Sequence, residues 1–232
     1  MYKIQIYFRL YGSGRRQQMD KNMILGHIDH TLLKPFATWE QIEKLCSEAV
    51  ANNTASVCVP QCYIGRIHEN FPSLNICTVV GFPLGYETCA GKVADTKKCL
   101  EDGASEIDMV INICAVKNKD YAYVEDEIRA LRKVTEGKIL KVIIETCYLT
   151  EEEKIEVCKC VTNAGADYIK TSTGFGTAGA TLEDIELFKK NIGSSVKIKA
   201  AGGIKTAAEA EKYIEAGCDR VGASSVVGDI NG

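Results

Sequence analysis

The chain has 232 residues, 46% hydrophobic and 25% charged, with 28 Lys and Arg against 31 Asp and Glu for a formal net charge of −3. That balance supplies no overall field for nucleic acid or an anionic membrane, so neither is expected as a partner and an anionic ligand needs a local site. No apolar run approaches the ~20 residues of a membrane span, and eleven scattered cysteines without a CxxC pair point to reduced thiols in a cytoplasmic compartment.

Residues 1–18 stand apart from the rest of the chain. Ile4, Ile6, Phe8 and Leu10 alternate with Lys3, Gln5, Tyr7 and Arg9, ahead of Gly12-Ser13-Gly14-Arg15-Arg16, which is strand periodicity running into a basic turn. The stretch lacks acidic residues as a targeting segment would, but is poor in Ser and Ala, and Met19 and Met23 are alternative starts. Residues 1–22 are therefore read as an N-terminal extension outside the fold, and residues 23–232 as one domain.

From Ile24 the pattern alternates between strand and helix. A short strand at His27–Asp29 leads through Lys34-Pro35 to Thr38, which with Gln41 forms a capping box opening a helix with Ile42, Leu45, Ala49 and Val50 as its apolar stripe. Further strands are expected at Ala55–Val59, ended by Pro60, at Ile76–Val80, ended by Gly81, and at Glu106–Ile111. Helices are expected at about Cys89–Glu101 and Tyr121–Val134, with a strand at Leu140–Ile144 after the second. Thr150 with Glu153, Thr181 with Asp184 and Thr206 with Glu209 each open another helix. The last three strands lie at Ala164–Lys170, Val196–Ala200 and Arg220–Gly222.

Eight strands alternating with helices, without a hairpin signal, imply a parallel sheet. Eight such units over ~210 residues fit the lower size range of a single-domain α/β (β/α)8 (TIM) barrel. The alternative, a doubly wound open sheet, would often carry GxGxxG in its first turn, and that motif is absent.

Three charged residues interrupt apolar strands: Asp108 in EIDMVI, Lys170 in DYIKTS and Lys199 in VKIKAAGG. Alternation sets Asp108 opposite to Ile107 and Met109, and Lys199 opposite to Ile198 and Ala200, so the charges can face the barrel axis near the strand C-termini, where such barrels do chemistry. A neutral lysine amine attacks carbonyls to form a Schiff base, a second ammonium nearby favours that neutral form, and a carboxylate can move the protons. Lys141 and Lys197 occupy similar strand positions but lie early in their strands, and are read as structural.

A separate signal suits phosphate. Ala201-Gly202-Gly203-Ile204 after the seventh strand runs into a helix N-terminus, Gly222-Ala223-Ser224-Ser225 ends the eighth, and Thr173-Gly174 follows the sixth. His27, Asp29 and His30 invite a metal reading, but with His68 as the only other histidine no three-ligand site assembles easily, so no metal or other cofactor is expected. Asp29 stays of interest as a strand-end carboxylate facing the same cavity.

The segments IDHTLLKP (28–35), SVCVP (56–60), VVGFPLG (79–85), EIDMVIN (106–112), KVIIET (141–146), AGADYIKTSTGFG (164–176), KAAGGIKT (199–206) and GASS (222–225) together resemble the deoxyribose-phosphate aldolases. The resemblance runs from about Ile24 to the end of the sequence. It implies a metal-free class I aldolase that interconverts 2-deoxy-D-ribose 5-phosphate with D-glyceraldehyde 3-phosphate and acetaldehyde in deoxyribonucleoside catabolism. It implies Lys170 as the Schiff-base lysine, Asp108 and Lys199 as proton donor and acceptor groups, and Asp29 as a supporting carboxylate. By the same resemblance Cys58 lines the pocket, and Gly174, Gly202, Gly203, Ser224 and Ser225 hold the phosphate, to which Thr173 adds by its place after the sixth strand. A homo-oligomer, dimer or tetramer, is expected as the assembly. Two departures stand out: the sequence ends Asp229-Ile230-Asn231-Gly232 where some members carry a terminal tyrosine for proton transfer, and Phe175 stands where some carry a lysine. The alternatives are a transaldolase-like Schiff-base enzyme acting on another sugar phosphate, or a silent sugar-phosphate-binding barrel.

Overall fold

Eight parallel strands close into a barrel in which each strand pairs with its sequence neighbours and the eighth returns to the first. The computed structural model describes residues 19–232, so the strand expected over Ile4–Leu10 lies outside the described residues. A short helix α1 (Lys21–Leu25) precedes β1 (Ile28–Thr31), α2 (Trp39–Asn52), β2 (Ser56–Val59), α3 (Ile64–Asn70) and β3 (Ile76–Val80). Then come α4 (Cys89–Glu101), β4 (Glu106–Val110), α5 (Ile113–Lys117), α6 (Tyr121–Val134), β5 (Ile139–Ile143) and α7 (Glu151–Asn163). The chain finishes with β6 (Tyr168–Lys170), α8 (Leu182–Asn191), β7 (Lys197–Ala201), α9 (Ala207–Glu215), β8 (Arg220–Ala223) and α10 (Val226–Asn231).

The helix starts come from local chemistry. Glu153 Oε2 accepts from the Thr150 N–H at 2.8 Å while Thr150 Oγ1 accepts from the Glu153 N–H at 3.3 Å, and Thr206 with Glu209 repeats the exchange at 3.1 and 3.2 Å. Gln41 Oε1 likewise accepts from the Thr38 N–H at 3.1 Å. One stripe differs from expectation: Val50 is 47% exposed, and Cys46 takes its place beside Ile42, Leu45 and Ala49. Val50 lies about 80° round the helix from Ile42, at the edge of the buried face, whereas Cys46 lies inside it. Helices α1, α5 and α10 span only five or six residues, too few to print a period in the sequence. Helix α1 begins at Lys21, whose Nζ donates to the Ile230 carbonyl at 3.0 Å, and Met19 packs against the barrel core.

Apolar side chains pointing outward from the strands, such as Ile107, Met109, Ile169 and Ile198, pack beneath the helices as one continuous core. The inward side chains are different, for there the barrel is filled by charge.

Candidate active site

Asp108 is third in β4, and because Ile107 and Met109 turn out to the core, alternation aims its carboxylate at the axis. Its Oδ2 accepts from Lys170 Nζ and from Lys199 Nζ, each at 2.7 Å. Its Oδ1 accepts from Lys141 Nζ at 2.9 Å and from Cys77 Sγ at 3.1 Å. Register sets this up: Lys141 pairs with Asp108 across β4 and β5, Lys170 with Lys199 across β6 and β7, and Lys199 with Arg220 across β7 and β8.

The network continues toward the other end of the barrel. Arg220 bonds Asp29 at 2.5 Å and Glu106 at 3.1 Å, Lys141 bonds Glu106 at 2.5 Å, and Lys199 pairs with Asp29. Three carboxylates, Asp29, Glu106 and Asp108, thus face Lys141, Lys199 and Arg220, with Lys170 as a fourth basic group at the upper edge. Burial alone would raise the Asp108 carboxyl, but the ammoniums of Lys141, Lys170 and Lys199 outweigh it and hold the group well below the carboxylate range. Asp29 is held down in the same way, its burial outweighed by Lys199, Lys141 and Arg220. Burial would strip the proton from Lys199 and Lys141, yet the surrounding carboxylates keep both above the ordinary lysine value. Without these partners each buried charge would cost several kcal/mol.

Above the network opens a cavity of about 370 Å³. Lys170, Thr173, Gly174, Gly202, Gly203 and Ser224 line it, with Thr31 at the end of β1 and Leu32, Leu33 and Lys34 of the loop after it closing one side and no carboxylate on the wall. Lys170 alone of the three interior lysines reaches this cavity; Lys141 and Lys199 are sealed below, each 0% exposed. Gly202 and Gly203 have φ of 88° and 82°, and a Cβ on Gly179 would lie 2.2 Å from the Gly202 carbonyl oxygen, so the loops after β6 and β7 cross at backbone distance. Two predicted positions are arranged otherwise. Ser225 turns its Oγ to the Lys205 carbonyl at 2.7 Å and does not line the cavity. Cys58 is 0% exposed in a satellite cluster with Cys77 and Val79 beneath Leu33 and Phe82. Phe175 presents its ring edge to Phe82 at 5.3 Å between centroids.

The three histidines do not converge. His27 bonds the Asp219 carbonyl, His30 bonds Glu48 at 2.9 Å, and the His68 ring lies against Gly103. The donor sets that do converge, Cys58 with Cys77 and Asp108, and Asp29 with Cys77 and Glu106, have their oxygens engaged by the lysines and Arg220.

Strand parity reveals part of what sequence reading passed over. Glu106 shares the inward face of Asp108 two residues on, and Lys141, the third residue of β5, is inward and central rather than at the strand start. Arg220 carries no local signal, being the first residue of an ordinary-looking strand.

A family model for the DeoC/LacD family aldolases matches residues 16–228. The chain is 65% identical over 215 residues to the deoxyribose-phosphate aldolase of Clostridium botulinum (strain Alaska E43 / Type E3), covering 92% of this chain and 97% of the relative. It is 56% identical to the deoxyribose-phosphate aldolase of Clostridioides difficile (strain 630), covering 88% and 93%. Among solved structures, the deoxyribose phosphate aldolase from Aeropyrum pernix, described as a unique tetramer, superposes with a TM-score of 0.84 at 28% identity over 91% of each chain.

Proposed function

The chain belongs to the DeoC/LacD family of aldolases, and from that premise we propose that it cleaves 2-deoxy-D-ribose 5-phosphate reversibly through a Schiff base on Lys170. The observation that carries this reading is the shared oxygen: Asp108 Oδ2 bonds both Lys170 and Lys199 at 2.7 Å, and only Lys170 reaches the cavity.

The Lys170 amine adds to the C1 aldehyde to give a carbinolamine, which loses water to form the iminium. Asp108, held ionised, takes and returns the protons of these steps, directly or through water. The 3-hydroxyl then gives up its proton to Asp108, directly or through water, as the C2–C3 bond breaks, releasing D-glyceraldehyde 3-phosphate and leaving an enamine on Lys170. Protonation of the enamine at C2 and hydrolysis of the resulting iminium release acetaldehyde and restore the amine. Lys199, kept charged by Asp108 and Asp29, holds a fixed positive charge on the same Asp108 oxygen that Lys170 bonds. The phosphate is assigned to the glycine loops after β6 and β7 together with Ser224, where no protein acceptor among the described residues claims the Gly174 or Gly203 N–H.

The test is borohydride reduction in the presence of acetaldehyde, followed by peptide mass spectrometry. Modification is expected on Lys170, and Lys170→Arg should abolish both trapping and turnover. Trapping that moves to Lys199 in that variant would refute the assignment. Trapping with acetaldehyde alone also separates this activity from a transaldolase-like one, which needs a larger donor. A homo-oligomer, dimer or tetramer, is proposed by likeness to the tetrameric Aeropyrum pernix protein, with sedimentation as its test. A cytoplasmic setting accords with eleven cysteines that are all unpaired in the structure.

A further inference from the structure

Glu145 lies two residues past the end of β5 and has no part in the Schiff-base steps. Its backbone is left-handed, with φ of 52°, a conformation that a residue other than glycine keeps only when its surroundings impose it. The turn carries the side chain inward, where Glu145 is 1% exposed. Its two carboxylate oxygens accept from the Thr173 N–H at 3.2 and 3.3 Å, and one of them also accepts from the Thr173 hydroxyl.

The contact is passed on. Thr173 Oγ1 accepts from the Phe175 N–H at 3.0 Å, and the Phe175 ring meets Phe82 of the β3 loop edge-on. A Cβ on Gly176 would lie 2.8 Å from Cys147 Sγ and 3.1 Å from the Glu145 carboxyl carbon, so the loop seats on Glu145 with no space to spare. A chain of contacts from Glu145 through Thr173 and Phe175 to Phe82 thereby fixes the segment that begins three residues after Lys170.

We propose that Glu145 is a positioning residue, holding the Thr173–Gly176 loop over the cavity and so setting affinity for the phosphate end of the substrate. The proposal rests on the reading of Lys170 as the Schiff-base lysine and deepens it. A buried carboxylate is tolerated only when hydrogen-bonded, and the short-range donors of Glu145 come from this loop, so loop docking and carboxylate burial depend on each other. Gly174, the next residue, lines the cavity across from Gly202. Undocking the loop therefore moves one wall of the anion site and leaves the network around Asp108 in place.

Acid should loosen the loop. Burial raises the Glu145 carboxyl above its ordinary value, while Thr173, the Lys170 ammonium from β6 and Cys147 from the turn after β5 draw it back. A protonated carboxyl loses acceptor capacity toward Thr173.

The experiment compares Glu145→Ala and Glu145→Gln in the full chain, with 2-deoxyribose 5-phosphate and unphosphorylated 2-deoxyribose, from mildly acidic to neutral pH. Glu145→Ala should raise KM for the phosphorylated sugar about tenfold or more, with kcat/KM for the unphosphorylated sugar changed by less than about threefold. Glu145→Gln keeps an oxygen acceptor, so it should recover most of the affinity at neutral pH and remove the acid rise in KM of the unaltered enzyme. If Glu145→Ala does not fold, Glu145→Asp keeps the charge but withdraws the carboxylate from Thr173 and must give the same split between the two sugars. Equal losses for both sugars, or an acid rise in KM that persists in Glu145→Gln, would overturn the proposal. Acetaldehyde trapping on the same samples keeps the two readings apart. No trapping in the unaltered enzyme defeats the Lys170 assignment; normal trapping with unchanged KM in Glu145→Ala defeats this one.

Discussion

Lys199→Leu separates an electrostatic role for Lys199 from a chemical one. Lys170 and Lys199 both sit 2.7 Å from the same Asp108 oxygen, which keeps the two nitrogens within about 5 Å of each other by simple geometry. At an effective dielectric of about 20, two unit charges at that distance repel by about 3 kcal/mol. Lys199 is held charged by Asp108 and Asp29, so this repulsion is present throughout the working range. Removing Lys199 takes this repulsion away and leaves Asp29 and Asp108 short of one cation beside Lys170. At neutral pH kcat/KM should fall by up to roughly a hundredfold, the factor that about 3 kcal/mol represents, and the loss should shrink as pH rises. The assay is kcat/KM for 2-deoxyribose 5-phosphate against pH, with acetaldehyde trapping measured over the same range. Loss of one member of a buried ion network costs about 3–5 kcal/mol, so thermal unfolding of the variant fixes a temperature at which it is folded. A uniform loss of rate with an unchanged pH profile would refute the field argument and make Lys199 a proton carrier or substrate ligand.

Three further outcomes are expected. Ser224→Asp places a carboxylate on the cavity wall, and like charges at about 4 Å cost on the order of 4 kcal/mol at intermediate dielectric; KM for the phosphorylated sugar should rise far more than for 2-deoxyribose, and equal effects would put the phosphate elsewhere. Chelation with EDTA should leave turnover unchanged, because the converging donors Asp29, Glu106 and Asp108 are engaged by Lys141, Lys199 and Arg220; activity lost to EDTA and restored by a divalent ion would contradict this. Lys92 is fully buried and bonds Glu127 at 2.8 Å, the Gly85 carbonyl at 2.7 Å and the Val110 carbonyl at 2.8 Å, so Lys92→Met should lower stability by about 3–5 kcal/mol in denaturant unfolding, with Glu127→Leu added to it recovering part of the loss.

What the sequence determined by itself is whatever depends on neighbours along the chain. Capping boxes at Thr38, Thr150 and Thr206 set helix starts to the residue, because the bonds that make them run between positions three apart. Period-two alternation likewise turned Asp108 and Lys199 inward, because strand direction reverses at every residue whatever the strand is paired with. With the position of Lys170 at a strand C-terminus, that was enough to single out the trio. Which inward residues meet is another matter, since it depends on barrel closure and on the register of strands far apart in sequence. Arg220, 191 residues from Asp29, completes the network only because β8 returns to β1. Lys141 looks peripheral along the chain, and only register sets it beside Asp108. Ser225 matches the phosphate motif by position, yet its hydroxyl is spent on Lys205. Glu145 gives no periodic signal at all, because a left-handed turn after β5 carries it to Thr173, 28 residues on. A local pattern fixes the direction of a side chain, but what it touches is fixed by the closure of the barrel.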